Sequence, residues 1–229
     1  MTEGIIQFDG YGAHNIWCHS VAVEDLYRRR ARGEDVEMTC AAQAAELLND
    51  ILAPGDSVLD AGCGSGYFFH SLRTRGMDAN YYGFDASDCL IAIGKAELPA
   101  FGLDPQRLCV LRIEDFRGSA DHIICMNVLS NIDNYHRPLE RLLMAAGKTL
   151  VLRESIGIEA SYAYVRDDYL DPDVDLKVHV NTYARRDIIS FISSYGFAVN
   201  EVVDRRTGGA PEMVIGYPHH WTFLVATRI

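Results

Sequence analysis

The sequence predicts an α/β fold: a doubly wound, mainly parallel seven-stranded sheet with helices on both faces. Three observations carry this. Short apolar runs alternate with segments of helical periodicity from residue 57 to residue 153. The run Asp121 to Asn127 is apolar through its centre (Ile123, Ile124, Cys125, Met126), as a strand covered on both faces requires. Val58-Leu59-Asp60 leads into Gly62, Gly64 and Gly66, which reads as a buried strand turning sharply into a helix.

Taken in order, residues 1–35 are expected to form a short helical lead-in carrying Phe8, Tyr11, His14, Trp17 and His19. Over 37–52, Ala44, Leu47, Leu48, Ile51 and Leu52 recur at helical spacing, and Pro54-Gly55-Asp56 ends that helix. The first strand is 57–60, and the helix over 66–75 stops at Gly76. The second strand, 80–85, ends in Asp85, and Ser87 is placed to cap the helix over 88–98. The third strand, 108–113, is followed by Glu114-Asp115. After the fourth strand, a helix over 135–146 puts Leu139, Leu142, Leu143 and Ala146 on one face, and the fifth strand is Thr149 to Arg153. The alternation then breaks. Residues 156–183 are rich in tyrosine and acid, and excursions of that length in compact domains are often functional. A helix after Thr182 turns Ile188, Ile189, Phe191, Ile192 and Tyr195 inward and ends at Gly196. Strands over 197–203 and 221–227 flank a Gly/Pro-rich hairpin arm. Residues 1–229 are expected to form one domain, with 1–52 as a helical cap and 156–183 as a lid or substrate-side insertion.

Composition narrows the function. A net charge of −11 argues against a broad nucleic-acid footprint, which needs a basic face. The basic cluster Arg28-Arg29-Arg30 with Arg32 is flanked by Glu24, Asp25, Glu34 and Asp35 and reads as a solvated helix face. The six cysteines are scattered without a C-x-x-C pair, so no metal centre and no disulfide framework is indicated. Small buried thiols suit a reducing cytosol, and Met1 to Gly10 reads as neither a signal peptide nor a membrane segment. The expected location is the cytoplasm.

The glycine loop is the chemical centre of the chain. A dinucleotide fingerprint, G-x-G-x-x-G, would need a glycine at Tyr67 or Phe69, and both are bulky. The run D-x-G-x-G-x-G after Val58-Leu59 instead resembles the first motif of the class I S-adenosylmethionine-dependent methyltransferases. The resemblance covers roughly residues 37–229 and implies a Rossmann-like sheet closed by a C-terminal antiparallel hairpin. It implies S-adenosylmethionine as cofactor, S-adenosylhomocysteine as product, and ligands beyond the carboxyl ends of the strands. The loop's amides are then expected to face the ligand.

The candidate residues lie just after strands, and the resemblance implies their roles. Gly62, Cys63, Gly64 and Gly66 form the loop that passes under the cofactor; Cys63 has no separate role. Asp60 either meets the cofactor's ammonium group or caps the loop backbone. Asp85 either accepts from both ribose hydroxyls or caps the next helix, and Ala86 would lie along the adenosine. Asp115, or Glu114, would take the adenine amino group, with a solvated turn as the plain alternative. Asn127-Val128 would run beneath the sulfonium. The chain lacks the [D/N]-P-P-[Y/F] pattern of amino-methylating relatives, and Val128 to Ile132 looks more like the small-molecule branch. A histidine frequent in that branch is replaced here by Ser130 or Asn131.

The expected activity is in-line methyl transfer to O, N or C of a small-molecule acceptor by a monomer or homodimer, without metal. His179, His219 and Tyr183 are the candidate catalytic groups, with His14, His19 and His220 as further options. Tyr162, Tyr164 and Tyr169 with neighbouring aspartates would line a lid or form an acidic surface. An inactive methyltransferase-like scaffold and an RNA or protein methyltransferase are the alternatives. Intact glycines, Asp85 and Asp115 speak against the first, and the acidity and the missing motif against the second.

Overall fold

The computed structural model describes residues 15–229. Phe8, Tyr11 and His14 lie outside the described residues. A 3-10 turn, Ile16–Cys18, precedes α1 (Val21–Ala31), which Ser20 caps by accepting from Val23 N at 3.3 Å. Then follow α2 (Thr39–Asn49), β1 (Ser57–Ala61), α3 (Phe68–Thr74), β2 (Asn80–Asp85) and α4 (Asp88–Glu97). Ser87 caps α4 as expected, accepting from Leu90 N. The chain continues through β3 (Leu108–Val110), β4 (Ala120–Met126), α5 (His136–Ala145) and β5 (Ala146–Gly157). Next come β6 (Tyr164–Arg166), β7 (Lys177–His179), β8 (Tyr183–Ala184) and α6 (Arg185–Ser194), and last β9 (Phe197–Val203), β10 (Glu212–Val214), β11 (Tyr217–His219) and β12 (Trp221–Arg228).

The main sheet runs β3-β2-β1-β4-β5-β12-β9, with the short β8 pairing onto β5. β1 is parallel to β2 and β4, and β4 to β5, whereas β12 is antiparallel to both β5 and β9. Side chains alternate across a strand, and here each alternate set belongs to a different core. Leu59, Ile123, Leu150 and Leu224 pack with Leu139 and Leu143 of α5 and Ile188 of α6. Val58, Ile124, Val151 and Phe223 pack with Ala44 and Leu48 of α2, Phe68 of α3 and Ile91 of α4. This two-sided burial makes the central strands apolar throughout. The strand order reverses between β1 and β4, so the helices that follow those strands, α3 and α5, pack on opposite faces of the sheet.

Two strand ends differ from expectation. β3 stops at Val110, because the chain turns into a 3-10 segment, Ile113–Asp115. β5 runs on to Gly157 through Arg153, Glu154 and Ser155, all buried. A sequence reading ends a strand at such charges; here each has a partner. Arg153 Nε donates to Asp204 Oδ2 at 2.7 Å, and its guanidinium lies 4.4 Å from the centre of the Trp221 ring.

The excursion after β5 folds as the β6–β7 hairpin and docks on the start of α1. Ser20 Oγ donates to the Tyr169 carbonyl at 2.6 Å, Asp171 N to the His19 carbonyl at 3.1 Å, and Val21 N to Asp171 Oδ1 at 3.2 Å. Ile16, Val178 and Val180 form a small third core with Trp17, Leu170 and Ile215 beside them. Ile215 sits in the β10–β11 turn with φ +49°, so the second hairpin reaches the same cluster. Among the described residues no helix is long and apolar enough to cross a membrane.

The buried pair gives a test of this packing. Asp204→Ala would leave the Arg153 charge unpaired at 2% exposure. Urea unfolding should lose about 3–5 kcal/mol of stability, and a loss no larger than that of a surface substitution would contradict the assigned pairing.

Candidate functional site

The loop after β1 and the turn after β4 meet at the point where the strand order reverses. Gly62, Gly64 and Gly66 all have positive φ, at +78°, +57° and +74°. Packing also excludes a side chain at two of them. A Cβ on Gly62 would stand 2.3 Å from Val128 Cγ2, and one on Gly64 2.3 Å from Tyr27 Cε1. Gly62 thus allows the two loops to touch, and Gly64 lets α1 lie on the glycine loop. Ser65 Oγ reinforces that contact by donating to the Tyr27 carbonyl at 3.0 Å.

Four of the loop's amides are taken up within the protein. Gly62 N and Cys63 N both donate to the Phe84 carbonyl, at 2.9 and 3.0 Å, and Gly66 N donates to the Cys63 carbonyl at 2.9 Å. Gly64 N donates to Asp85 Oδ2 at 2.8 Å. The Cys63 side chain is buried, and a Cβ on Gly83 would stand 2.9 Å from its sulfur.

Asp85, at the end of β2, ties the loop to the next turn. One carboxylate oxygen accepts from Gly64 N, and the other accepts from Ser87 N at 2.8 Å. Burial pushes its pKa up, although the Ser87, Gly64 and Ala86 amides pull the other way. Each carboxylate oxygen keeps acceptor capacity for a further donor. Ala86 follows as a half-buried small residue. Asp60 is 4% exposed and accepts from the Tyr81 hydroxyl at 2.9 Å. Burial raises its pKa to about 7, with the Tyr81 hydrogen bond opposing and the Asp85 charge adding to the rise. Glu114 and Asp115 stand on the turn after β3; Glu114 is paired with Arg112 at 3.0 Å, and Asp115 is exposed.

The post-β4 turn rests on a residue that sequence reading missed. Glu154 Oε1 accepts from Val128 N and Leu129 N, both at 3.0 Å. Oε2 accepts from Ser130 N at 2.9 Å and Ser130 Oγ at 2.8 Å. The residue is fully buried, and burial raises its pKa against those donors. Its signal in the sequence is an acid two residues beyond the apolar run Leu150-Val151-Leu152 of a central strand. Asn127 opens the turn with φ +60°, a conformation that Asn tolerates better than most residues. Its side-chain oxygen accepts from Arg153 Nη1, and its carbonyl accepts from Asn131 Nδ2 at 2.8 Å.

The candidate catalytic groups are dispersed. Tyr183 is buried, and its hydroxyl donates to the Leu129 carbonyl, which fixes it to the post-β4 turn. His219 is 1% exposed, and its ring lies tilted against that of Trp221 with centres 4.7 Å apart; burial lowers its pKa. His179 lies on β7, which packs beside the 3-10 turn Leu129–Asn131, and its ring sits 4.5 Å from that of Tyr164. His19 lies at the join of the cap. His220 borders a separate cleft of about 640 Å³ with Ile156, Thr182, Arg185 and Trp221, and no glycine-loop residue lines it.

Asp60 sets a pH dependence. Between about pH 4, where a free aspartate loses its proton, and about pH 7, the folded chain holds a proton that the unfolded chain has released. Stability therefore falls as pH rises through that window. Unfolding of Asp60→Asn across the same range should lack this part of the slope, whereas an unchanged slope would place the titration elsewhere.

Comparisons with known proteins agree with this architecture. A family model described as a methyltransferase domain matches residues 32–202. The ribosomal protein L11 methyltransferase of Caldanaerobacter subterraneus subsp. tengcongensis is 32% identical over 88 residues, 38% of this chain. The match spans 28% of that relative's length. Magnesium protoporphyrin IX methyltransferase from Synechocystis PCC 6803, with bound S-adenosylmethionine, superposes with a TM-score of 0.61 at 18% identity, over 99% of this chain and 100% of that one. An S-adenosylmethionine-dependent methyltransferase from Clostridium acetobutylicum gives 0.62 at 16% identity, over 90% and 97%. By its sequence the chain belongs to the methyltransferase-domain family, and its fold is that of the solved methyltransferases on which it superposes.

Proposed function

We propose that the chain transfers a methyl group from S-adenosylmethionine to a small-molecule acceptor at the carboxyl edge of the sheet. The observation that carries this is the contact of the two loops at the reversal of strand order, with the Asp85 carboxylate between the glycine loop and α4. The residues suit the cofactor. Asp60 and Asp85 are carboxylates whose pKa values burial raises, and a ligand bearing a sulfonium and an ammonium group would supply the missing positive charge.

In this reading Asp85 accepts from the ribose hydroxyls and Ala86 gives the adenosine room. Asp115, or Glu114 if it leaves Arg112, takes the adenine amino group. Val128, held by Glu154, forms the floor beside the reacting atoms. The sulfonium supplies an already activated methyl group. The protein's part is to hold acceptor, methyl carbon and sulfur in line and to exclude water. The roof for that task is the β6–β7 hairpin clasped to α1. Where the acceptor must lose a proton, His179 is the group placed to take it, since its strand lies on the post-β4 turn. His219 and Tyr183 then serve as packing residues.

A small molecule is favoured as acceptor by the net charge of −11 and by a roof that closes over the edge. The similar proteins are named for acceptors as unlike as a porphyrin and a ribosomal protein. Six free thiols suit work in the reducing cytoplasm, and we take the working unit to be a monomer or homodimer.

Isothermal titration with S-adenosylhomocysteine should give binding to the wild type. In Asp85→Ala the affinity should fall by about 10–100-fold, the worth of hydrogen bonds to a charged acceptor, with the far-ultraviolet spectrum unchanged. Equal affinity in the folded variant would remove Asp85 from the site. With a tritiated methyl donor, label is expected in a metabolite extract and not in total RNA or lysate protein; the reverse would refute the acceptor class. Once an acceptor that must lose a proton is in hand, His179→Ala should lower turnover by about 10²–10⁴-fold and leave S-adenosylhomocysteine affinity intact. Full turnover would assign the proton transfer elsewhere.

A further inference from the structure

Cys18 and Cys89 have no part in the site as drawn. Cys18 ends the 3-10 turn before α1, and Cys89 lies in the first turn of α4, 71 residues later. Their sulfurs stand 2.9 Å apart. Ser87 Oγ lies 3.1 Å from each sulfur, and the Cys18 thiol reaches Asp88 Oδ1 at 3.4 Å. Both side chains are only partly buried. By contrast Cys40, Cys63 and Cys125 are buried, and Cys109 is exposed.

We infer that Cys18 and Cys89 form a redox-active dithiol, which a peroxide closes to a disulfide that ties the N-terminal turn to the first turn of α4. Cys18 is the attacking group. The hydrogen bond from the Cys89 thiol, with help from Ser87, brings its pKa down to about 7 against the effect of burial. Its thiolate attacks the peroxide O–O bond, giving a sulfenic acid and an alkoxide or hydroxide that takes up a proton. The Cys89 sulfur, which loses its own proton, then attacks the sulfenic sulfur and expels hydroxide, which is protonated to water. Two thiols lose two electrons and two protons in all, and the peroxide is reduced to an alcohol or water and one further water.

A metal ion fits the same group less well. Zinc-bound thiolates at about 2.3 Å from the metal stand about 3.8 Å apart in a tetrahedron, farther than these sulfurs. Asp88 Oδ1 is also engaged, accepting from the Cys89 amide at 2.8 Å.

The bond would close beside the cofactor loop. Ser87 touches both sulfurs and donates its amide to Asp85. The turn that carries Cys18 is also joined to the roof, since Ile16 and Trp17 pack with Val178 and Leu170. A cross-link there holds roof and adenosine loop together and slows cofactor exchange. This last step rests on the assignment of Asp85; the cross-link itself does not.

The test is hydrogen peroxide treatment of the full-length protein, followed by intact mass and a non-reducing digest. The expected result is the loss of two hydrogens and one cross-linked peptide joining Cys18 to Cys89. It should be absent from Cys18→Ser and Cys89→Ser and retained in Cys109→Ser. Release of bound S-adenosylhomocysteine should be several-fold slower after oxidation, recover with dithiothreitol, and not change in either serine variant. Pairing elsewhere, a Cys18 sulfinic acid without a cross-link, or one zinc per chain that protects both thiols would overturn the dithiol. A cross-link that leaves release unchanged would overturn the clamp. Failure of the nucleoside to bind even the reduced protein would count against the Asp85 assignment and leave the cross-link readout intact.

Discussion

Buried negative charge held by backbone amides is the constraint on which the carboxyl edge of this sheet depends. Among the described residues Glu154 forms no salt bridge; it is kept by the amides of Val128, Leu129 and Ser130 and by the Ser130 hydroxyl. Those bonds fix the turn that touches Gly62. Asp85 does the same across the reversal, joining the glycine loop to the cap of α4. Low-dielectric surroundings strengthen such bonds and make any loss costly. One consequence is shape, since both loops are rigidly placed. The other is electrostatic: burial holds the pKa values of Asp60 and Asp85 above the usual carboxylate range.

The central strands and the glycine loop were legible because their signals are local. Apolar runs bounded by Gly, Pro and Asp set β1, β2 and β4, and Ser87 announced its helix. What was not legible depends on partners distant in sequence. Arg153 and Glu154 look like the end of a strand until Asp204 and the post-β4 turn are brought to them. Tyr27, beside a run of arginines, reads as part of a solvated helix face, yet its ring lies on Gly64. Nothing in the sequence shows that the Phe84 carbonyl and the Asp85 carboxylate take the amides of Gly62, Cys63 and Gly64. The proximity of Cys18 to Cys89 is equally a product of the fold.

The cap gives the excursion after β5 a physical meaning that its composition left open. Its tip bonds to residues 19–21, and its apolar side shares a small core with the N-terminal turn and the β10–β11 hairpin. Sections far apart in the chain thus meet in a third cluster, with fewer apolar residues than either main core.

A crystal structure of the complex with S-adenosylhomocysteine tests the central claim most directly. The ribose hydroxyls are expected on the Asp85 carboxylate and the sulfur above Val128, between the glycine loop and the post-β4 turn. Density for the nucleoside in the cleft at Ile156 and His220, or on any other surface, would contradict it.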